Sequence, residues 1–168
     1  MPSTMLSDLH SDLQPLIAKL CGRINAGECG ADVTGKITCG LRTATEQAGL
    51  YAMGRTVRGA LCRREGCHDC FPGGMGHTVT KAMPGHGYHE YGRAVDVMLY
   101  RARAPIFALE DRPGHLDPAW EAYGRIADDL GLCWGGHWNQ KDGPHVELHP
   151  SGLGCRDAWM LAERREIA

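Results

Sequence analysis

The sequence lacks several features that would assign the protein to other classes. No apolar run approaches the length of a membrane-spanning helix, about 20 residues, so membrane insertion is not expected. Basic residues are not in excess: 18 Lys and Arg stand against 20 Asp and Glu, a formal net charge of −2. Because nucleic acid demands a basic face, no nucleic-acid partner is expected. An HExxH pattern is absent, which excludes a thermolysin-like peptidase.

Residues 1–8 also lack the basic start and apolar core of a secretion signal, so we expect synthesis in the cytoplasm. The 168 residues are enough for one domain with a real core and too few for two comfortable ones. The hydrophobic fraction of 43% and the charged fraction of 23% are typical of soluble globular proteins. We therefore predict a single domain over residues 1–168.

Eight cysteines are many for a chain made in a reducing compartment, where disulfides are rare. Cys62, Cys67 and Cys70 lie within residues 59–88, a segment rich in glycine and proline that shows no helix or strand period. Such a long irregular segment needs something to order it. The C-x4-C-x2-C spacing, with a histidine nearby, favours a structural zinc over disulfides or idle thiols, which remain the alternatives.

Apolar periodicity and capping signals predict the regular elements. Helices are predicted over residues 6–24 (the main part beginning near Asp12), 43–55, 117–131 and 155–167. Strands are predicted over residues 35–41, 92–100, 132–138 and 145–149, with a loop over 27–35. The second helix is predicted to bury Ala48, Tyr51 and Met53.

A single carboxylate interrupts an apolar stretch near the middle of the chain. Within residues 95–99 every residue is apolar except Asp96, and a buried ion is costly without a partner charge or a metal. His89 lies shortly upstream, before a glycine that lets the chain bend. An imidazole and a carboxylate brought together suit zinc, which takes a third protein ligand. The alternative is that Asp96 pairs with Arg93 and that His89 is a solvated loop residue.

A third ligand and a catalytic base are expected from a second polar cluster. His145 begins a strand directly after a tight turn, and strict alternation places His145, Glu147 and His149 on one strand face. We predict His145 as the third ligand, with His149 as the rival. Asp142, in the turn, can reach water at the metal site without being a ligand, as a general base must. Glu147 is the alternative base, and an ordinary turn residue is the alternative reading of Asp142.

Four segments together resemble the family of zinc D-alanyl-D-alanine carboxypeptidases (VanY-like) and L-alanyl-D-glutamate endopeptidases. Residues 89–96, HEYGRAVD, match its HxxGxAxD signature, and residues 134–138, WGGHW, resemble its WGGxW stretch. Residues 142–147, DGPHVE, resemble its DxPHFE-like segment, and residues 40–56 resemble its GxRT…LYAxGRT segment. The resemblance spans residues 9–149, with its motifs in family order.

The resemblance implies a zinc ion bound by His89, Asp96 and His145. It also implies that Asp142 is the catalytic base and that Arg42 binds a carboxylate of the peptidoglycan stem peptide, a task suited to a bidentate guanidinium. A strand-end salt bridge is the alternative for Arg42. The implied fold is α+β, with helices packed on a small, mainly antiparallel sheet, as in hedgehog-type and D,D-peptidase domains.

Two features depart from the family pattern. The family has serine two places before its first histidine, where this chain has Gly87, so a hydroxyl contact to substrate is in question there. A Cys/Gly-rich insertion at about residues 59–78 replaces a short link. It is expected either to reshape the rim of the cleft or to bind a second metal.

The resemblance implies a zinc peptidase of peptidoglycan stem peptides, with L-alanyl-D-glutamate endopeptidase activity of the phage endolysin type. Such a protein would be a monomer made in the host cytoplasm, acting on the cell wall after release. D-alanyl-D-alanine carboxypeptidase activity is the alternative. Two further hypotheses are a hedgehog-like zinc protein without hydrolysis and a zinc-ribbon nucleic-acid module built on residues 62–70, which the charge balance disfavours.

Overall fold

The computed structural model of the protein describes residues 1–59, 75–112 and 114–149. Its α-helices in these ranges are α1 (Gln14–Arg23), α2 (Ala44–Ala52) and α3 (Pro118–Asp129). Its strands are β1 (Val33–Cys39), β2 (Ala94–Arg101), β3 (Ala104–Pro105), β4 (Glu110–Arg112), β5 (His115–Leu116), β6 (Cys133–Trp134) and β7 (His145–Glu147). Short 3-10 turns occupy Leu6–Asp8, Tyr88–Tyr91 and Gly135–His137.

The main sheet has the order β1-β2-β7-β6, with β3 paired to β2. Every pairing between its strands is antiparallel. Strands β4 and β5 form a separate hairpin. The predicted α+β class, with helices on a small antiparallel sheet, is therefore confirmed.

Strand β2 is an interior strand of the sheet, and the residues on its core-facing side are apolar and fully buried. Val95, Val97 and Leu99 each have 0% exposure, and they belong to a core shared with α1 and α3. Trp120 and Tyr123 of α3 pack edge to face in this core. This packing fixes the position of β2, the strand that carries Asp96.

The first helix differs from its prediction. Leu6–Asp8 form a separate 3-10 turn, and α1 begins at Gln14 rather than near Asp12. Pro15 explains the start, because a proline lacks the N–H that an interior turn would donate and fits only in the first turn. The helix then runs into a π-helical turn, Ile24–Glu28, and β1 starts at Val33, so the loop predicted over 27–35 is shorter than expected.

The second helix has the predicted cap but a different buried face. Thr43 Oγ1 accepts from Glu46 N at 3.2 Å, and the Glu46 carboxylate accepts from Thr43 N at 2.9 Å, a capping box. The buried residue of α2 is Gln47, whereas Ala48, predicted to be buried, is exposed. The helix also ends at Ala52, short of the predicted residue 55, where the chain becomes extended.

Three short strands were not predicted, because two or three residues carry no period. These are β3, β4 and β5. Strand β7 ends at Glu147 rather than at residue 149. The predicted helix over 155–167 and the cysteines of the insertion lie outside the described residues. Within the described ranges, no helix is both long enough and apolar enough to cross a membrane.

Candidate metal centre and cleft

Neighbouring strands bring the predicted ligands together. In the antiparallel ladder, Asp96 of β2 lies directly opposite His145 of β7. His89 lies in the 3-10 turn just before β2, where Gly92 takes a left-handed conformation with φ of 63° and returns the chain to the sheet. On the other side of Asp96, an irregularity in β1 after Ile37 brings Cys39 opposite it.

Three side-chain atoms face a common point. His89 Nε2 lies 3.3 Å from His145 Nδ1, and Asp96 Oδ1 lies 3.4 Å from the first and 3.1 Å from the second. Both imidazoles are buried, and the carboxylate is partly exposed. We call these three residues the His/Asp/His cluster. Arg93, the alternative partner of Asp96, instead contacts His10 and Asp12.

Hydrogen bonds behind the two imidazoles set their tautomers. His89 Nδ1 lies 2.9 Å from the Gly40 carbonyl oxygen, which can only accept, so Nδ1 carries the proton. His145 Nε2 lies 3.0 Å from a carboxylate oxygen of Glu147, so that nitrogen is the donor there. In the neutral rings, the two nitrogens that face each other are then lone pairs. Two lone pairs and a carboxylate oxygen around one point are a donor set suited to zinc.

The electrostatics of the cluster favour a positive charge. Burial disfavours the protonated imidazoles, but hydrogen bonds to Asp96, with contributions from Cys39 for His89 and Glu147 for His145, outweigh it. They raise the pKa of His89 to about 10 and that of His145 to about 9. Burial likewise opposes ionisation of Asp96, yet the two imidazoles hold its pKa well below the usual range.

Cys39 lies beside the cluster rather than within it. It is one of three residues, with His89 and Asp96, whose ligand atoms all lie within 4.8 Å of one another. Its Sγ, however, is 3.7 Å from His89 Nδ1, the nitrogen that already bonds Gly40. The thiol therefore supports the back of the imidazole.

Asp142 lies in the turn before β7. Its backbone N–H donates to Gly135 O at 3.0 Å, and its carbonyl accepts from His145 N at 3.3 Å. A Cβ on Gly135 would lie 2.5 Å from the Asp142 carbonyl, which explains a glycine there. Burial and the nearby charge of Asp96 raise the pKa of the Asp142 carboxyl. The raised pKa makes this carboxylate a stronger base than an ordinary aspartate.

Arg42 is held by two buried groups that the sequence analysis did not identify. Its Nη1 donates to Gln47 Oε1 at 2.8 Å, and its Nη2 donates to Cys39 Sγ at 3.1 Å. Gln47 is 1% exposed, and its Nε2 donates to Ala82 O at 2.7 Å. Arg42 Nε is buried and has no hydrogen-bond partner. The guanidinium is therefore fixed in place, and its Nε–H is a hydrogen-bond donor without an acceptor.

Glu147 and His149, the rival base and the rival ligand, are bonded to each other. The two oxygens of Glu147 contact His145 Nε2 at 3.0 Å and His149 Nε2 at 2.9 Å. Burial opposes its ionisation, but these two bonds outweigh it and lower the pKa of Glu147 to about 2. His149 also contacts the Tyr88 hydroxyl at 2.9 Å. Both residues lie behind His145, on the side away from the His/Asp/His cluster.

A cleft of about 700 Å³ joins these groups. It is lined by the His/Asp/His cluster, Arg42 and Asp142, with further walls from residues 78–82 and 138–141. The Trp138 ring lies 4.8 Å from that of His145. The structure thus gathers all five sequence-predicted site residues around one opening. Gln47 was missed because a lone glutamine within a helix gives no sequence signal of burial.

The fold is shared with two peptidases of known structure. It matches the crystal structure of Serratia marcescens L-Ala D-Glu endopeptidase ChiX with a TM-score of 0.51 and 21% identity, covering 89% of this chain and 90% of that one. It matches the vancomycin-resistance D,D-dipeptidase VanXYg, solved with a D-Ala-D-Ala phosphinate analogue, with a TM-score of 0.50 and 16% identity, covering 91% and 59%. The chain therefore has the fold of these peptidases.

Sequence comparison then gives the family. The model of the family described as D-alanyl-D-alanine carboxypeptidase, in peptidase family M15, matches residues 81–148. Peptidoglycan L-alanyl-D-glutamate endopeptidase CwlK of Bacillus subtilis (strain 168) is 31% identical over 144 residues, covering 84% of this chain and 76% of CwlK. The chain belongs to peptidase family M15 and is a peptidoglycan peptidase, so the resemblance noted in its sequence is confirmed.

Proposed function

We propose that the protein is a zinc-dependent L-alanyl-D-glutamate endopeptidase of peptidoglycan. The observation that carries the proposal is the convergence of two imidazole lone pairs and one carboxylate oxygen, all within 3.4 Å of one another, in a cleft shared with Asp142. The bond specificity is supported by CwlK, a relative that is 31% identical over 84% of this chain.

In this proposal His89, Asp96 and His145 hold the zinc ion. When bound, zinc supplies a Lewis acid that polarises the scissile carbonyl and makes water at the site more acidic. Asp142 accepts a proton from the attacking water and passes it to the departing amine, a role that its raised pKa suits. Glu147 keeps His145 in the ligating tautomer by accepting from its Nε2–H.

Arg42 is proposed to bind a carboxylate of the stem peptide. Hydrogen bonds to Gln47 and Cys39 hold the two terminal nitrogens of the guanidinium, and Arg42 lines the cleft together with the His/Asp/His cluster. A guanidinium held in this way binds a carboxylate at little cost in side-chain entropy. The D-glutamate residue beside the scissile bond supplies such a carboxylate.

Mass spectrometry of digested muropeptides tests the scissile bond. We expect peptides with a new amino terminus on D-glutamate and glycan fragments that retain L-alanine. Loss of terminal D-alanine alone would show the carboxypeptidase activity that the family description names, and would contradict the endopeptidase assignment. Asp142→Asn protein is expected to release these peptides far more slowly. Asp128→Asn, a change at an exposed carboxylate, is its matched control and should digest as the unmodified protein does.

The endolysin role stays a prediction of the same proposal. Purified protein added to bacteria with a permeabilised outer membrane is expected to lower their turbidity, and Asp142→Asn protein is not. Digestion of isolated peptidoglycan without lysis of such cells would keep the peptidase assignment and remove the lytic role.

A further inference from the structure

A second group of metal-ligand side chains lies behind His145. It consists of Cys133, Glu147 and His149, which we call the Cys/Glu/His cluster, and its ligand atoms all lie within 4.8 Å of one another. The fold builds the group from two adjacent strands, because Cys133 of β6 lies directly opposite Glu147 of β7. His149 follows β7 on the same side, as the alternation of a strand directs. None of these three residues belongs to the His/Asp/His cluster.

The Cys/Glu/His cluster is enclosed by the protein rather than exposed on its surface. Cys133 is 1% exposed and Glu147 is 8% exposed, while the side chain of His149 is 12% exposed. A thiol, a carboxylate and an imidazole enclosed together form a set that zinc accepts, since it takes sulfur, nitrogen and oxygen ligands alike. Calcium and magnesium would require a site made of oxygen atoms.

The three ligand atoms of the Cys/Glu/His cluster need to move only slightly closer together to bind one zinc ion. Zinc binds nitrogen at about 2.0–2.1 Å and sulfur at about 2.3 Å, so ligand atoms on one zinc lie roughly 3.3–3.7 Å apart. In the structure His149 Nε2 lies 2.9 Å from a carboxylate oxygen of Glu147 and donates to it; a metal ion would take the place of that proton, and the ring proton would then be on Nδ1, which lies 2.9 Å from the Tyr88 hydroxyl and can donate to it. The outer partner that a ligating histidine needs is therefore already present.

We propose that Cys133, Glu147 and His149 bind a second zinc ion, separate from the one proposed for the peptidase site. Glu147 links the two sites, because its other oxygen accepts from His145. The second ion would therefore stabilise the strand pair β6–β7 and the orientation of a ligand of the first ion. This inference concerns metal binding alone and stands whether or not the chain cleaves the bond proposed above.

Cobalt substitution separates the two sites, because only the second one contains sulfur among its ligands. Metal-free protein is titrated with Co²⁺ and followed by absorption in the near ultraviolet, where a thiolate bound to cobalt gives a charge-transfer band. We expect the unmodified protein to show this band and to bind at least two equivalents of Co²⁺. Cys133→Ser and His149→Gln, each made in a protein whose Cys62, Cys67 and Cys70 are replaced by serine, are expected to lose the band, while Co²⁺ still binds at the His/Asp/His cluster.

Two controls address the thiols beside the first metal site and in the insertion. Cys39→Ser tests the thiol next to His89, and the triple variant Cys62→Ser, Cys67→Ser, Cys70→Ser tests the insertion; both are expected to keep a band that depends on Cys133. His149→Gln, at the least buried position of the cluster, keeps the test decisive if Cys133→Ser fails to fold by circular dichroism. Absence of the band from the triple variant, or its persistence when either Cys133→Ser or His149→Gln is added to that variant, would overturn the proposal.

Discussion

In each imidazole, the hydrogen bond made by the outer nitrogen determines whether the inner nitrogen carries a lone pair that can bind a metal ion. The Gly40 carbonyl and the Glu147 carboxylate accept the outer protons of His89 and His145, so in the neutral rings the inner nitrogens, beside Asp96, carry the lone pairs that a metal ion can bind. Sequence could locate these histidines, since HxxGxAxD and PHxE patterns carry them. It could not give the tautomers, because Gly40 is distant in the chain and contributes only its backbone.

Asp142 provides the sharpest test of the assigned roles. We expect Asp142→Asn to lower kcat by about 10²–10⁴-fold, the usual contribution of a general base, and to leave zinc content unchanged. His89→Ala is instead expected to lose the metal, as measured by elemental analysis of dialysed protein. Unchanged turnover of Asp142→Asn protein would remove this residue from its proposed role.

The raised pKa of Asp142 also predicts a pH dependence. A carboxylate whose pKa is raised on folding lowers the stability of the native state above that pKa, where the buried group must be charged. Asp142→Asn should therefore unfold at the same or a higher temperature than the unmodified protein at pH 7. The acid limb of kcat/KM should lie above the ordinary Asp value of about 3.9. A lower melting temperature for Asp142→Asn would contradict this account.

Gln47 is a positioning residue for Arg42. Gln47→Leu removes both the acceptor for Arg42 and the donor to Ala82 O, leaving buried polar groups unpaired. We expect a loss of about 1–3 kcal/mol in the free energy of unfolding and a rise in KM for stem peptides larger than the fall in kcat. Gln140→Leu, the same change at an exposed position, controls for stability in denaturant titrations. Equal stability of the two variants would contradict the role.

Among the elements, α3 and β6 show how close packing restricts sequence. Gly124 of α3 lies against the indole of Trp134, and a Cβ built there would overlap the ring. Gly49 of α2 has open space around its Cβ direction. The two glycines therefore have opposite expected responses to alanine, although both lie inside helices.

Gly124→Ala is expected to destabilise the fold by about 1–3 kcal/mol, because overpacking outweighs the gain in helix propensity. Gly49→Ala, its matched control, should stabilise the fold by up to about 1 kcal/mol, the propensity difference alone. Thermal unfolding measures both. A stabilised Gly124→Ala protein would show that the contact with Trp134 relaxes without cost.

The sequence predicted helix α3 well and the short strands poorly. The Asp117–Pro118 start and the apolar spacing of Trp120, Tyr123 and Ile126 gave α3 almost as observed. The two- and three-residue strands β3 to β5 were not predicted, because the pairing of such short strands depends on tertiary contacts. For the same reason no pattern in α2 revealed that Gln47, rather than Ala48, is the buried residue.

For the molecule as a whole, one sheet brings together predicted metal ligands that are distant in sequence. Asp96 and His145 lie opposite each other in β2 and β7, and residues 78–82, at the C-terminal end of the insertion, form one wall of the cleft. The single domain over 1–168, the monomeric state and a metal in the insertion stay predictions; Cys62, Cys67 and Cys70 lie outside the described residues.

The most direct test of the account is an anomalous difference map, measured at the zinc absorption edge, from crystals of the zinc-loaded protein. We predict a peak within bonding distance of His89 Nε2, Asp96 Oδ1 and His145 Nδ1. Peaks only elsewhere, with these three atoms turned away from one another, would contradict the proposed metal site and the hydrolytic mechanism that depends on it.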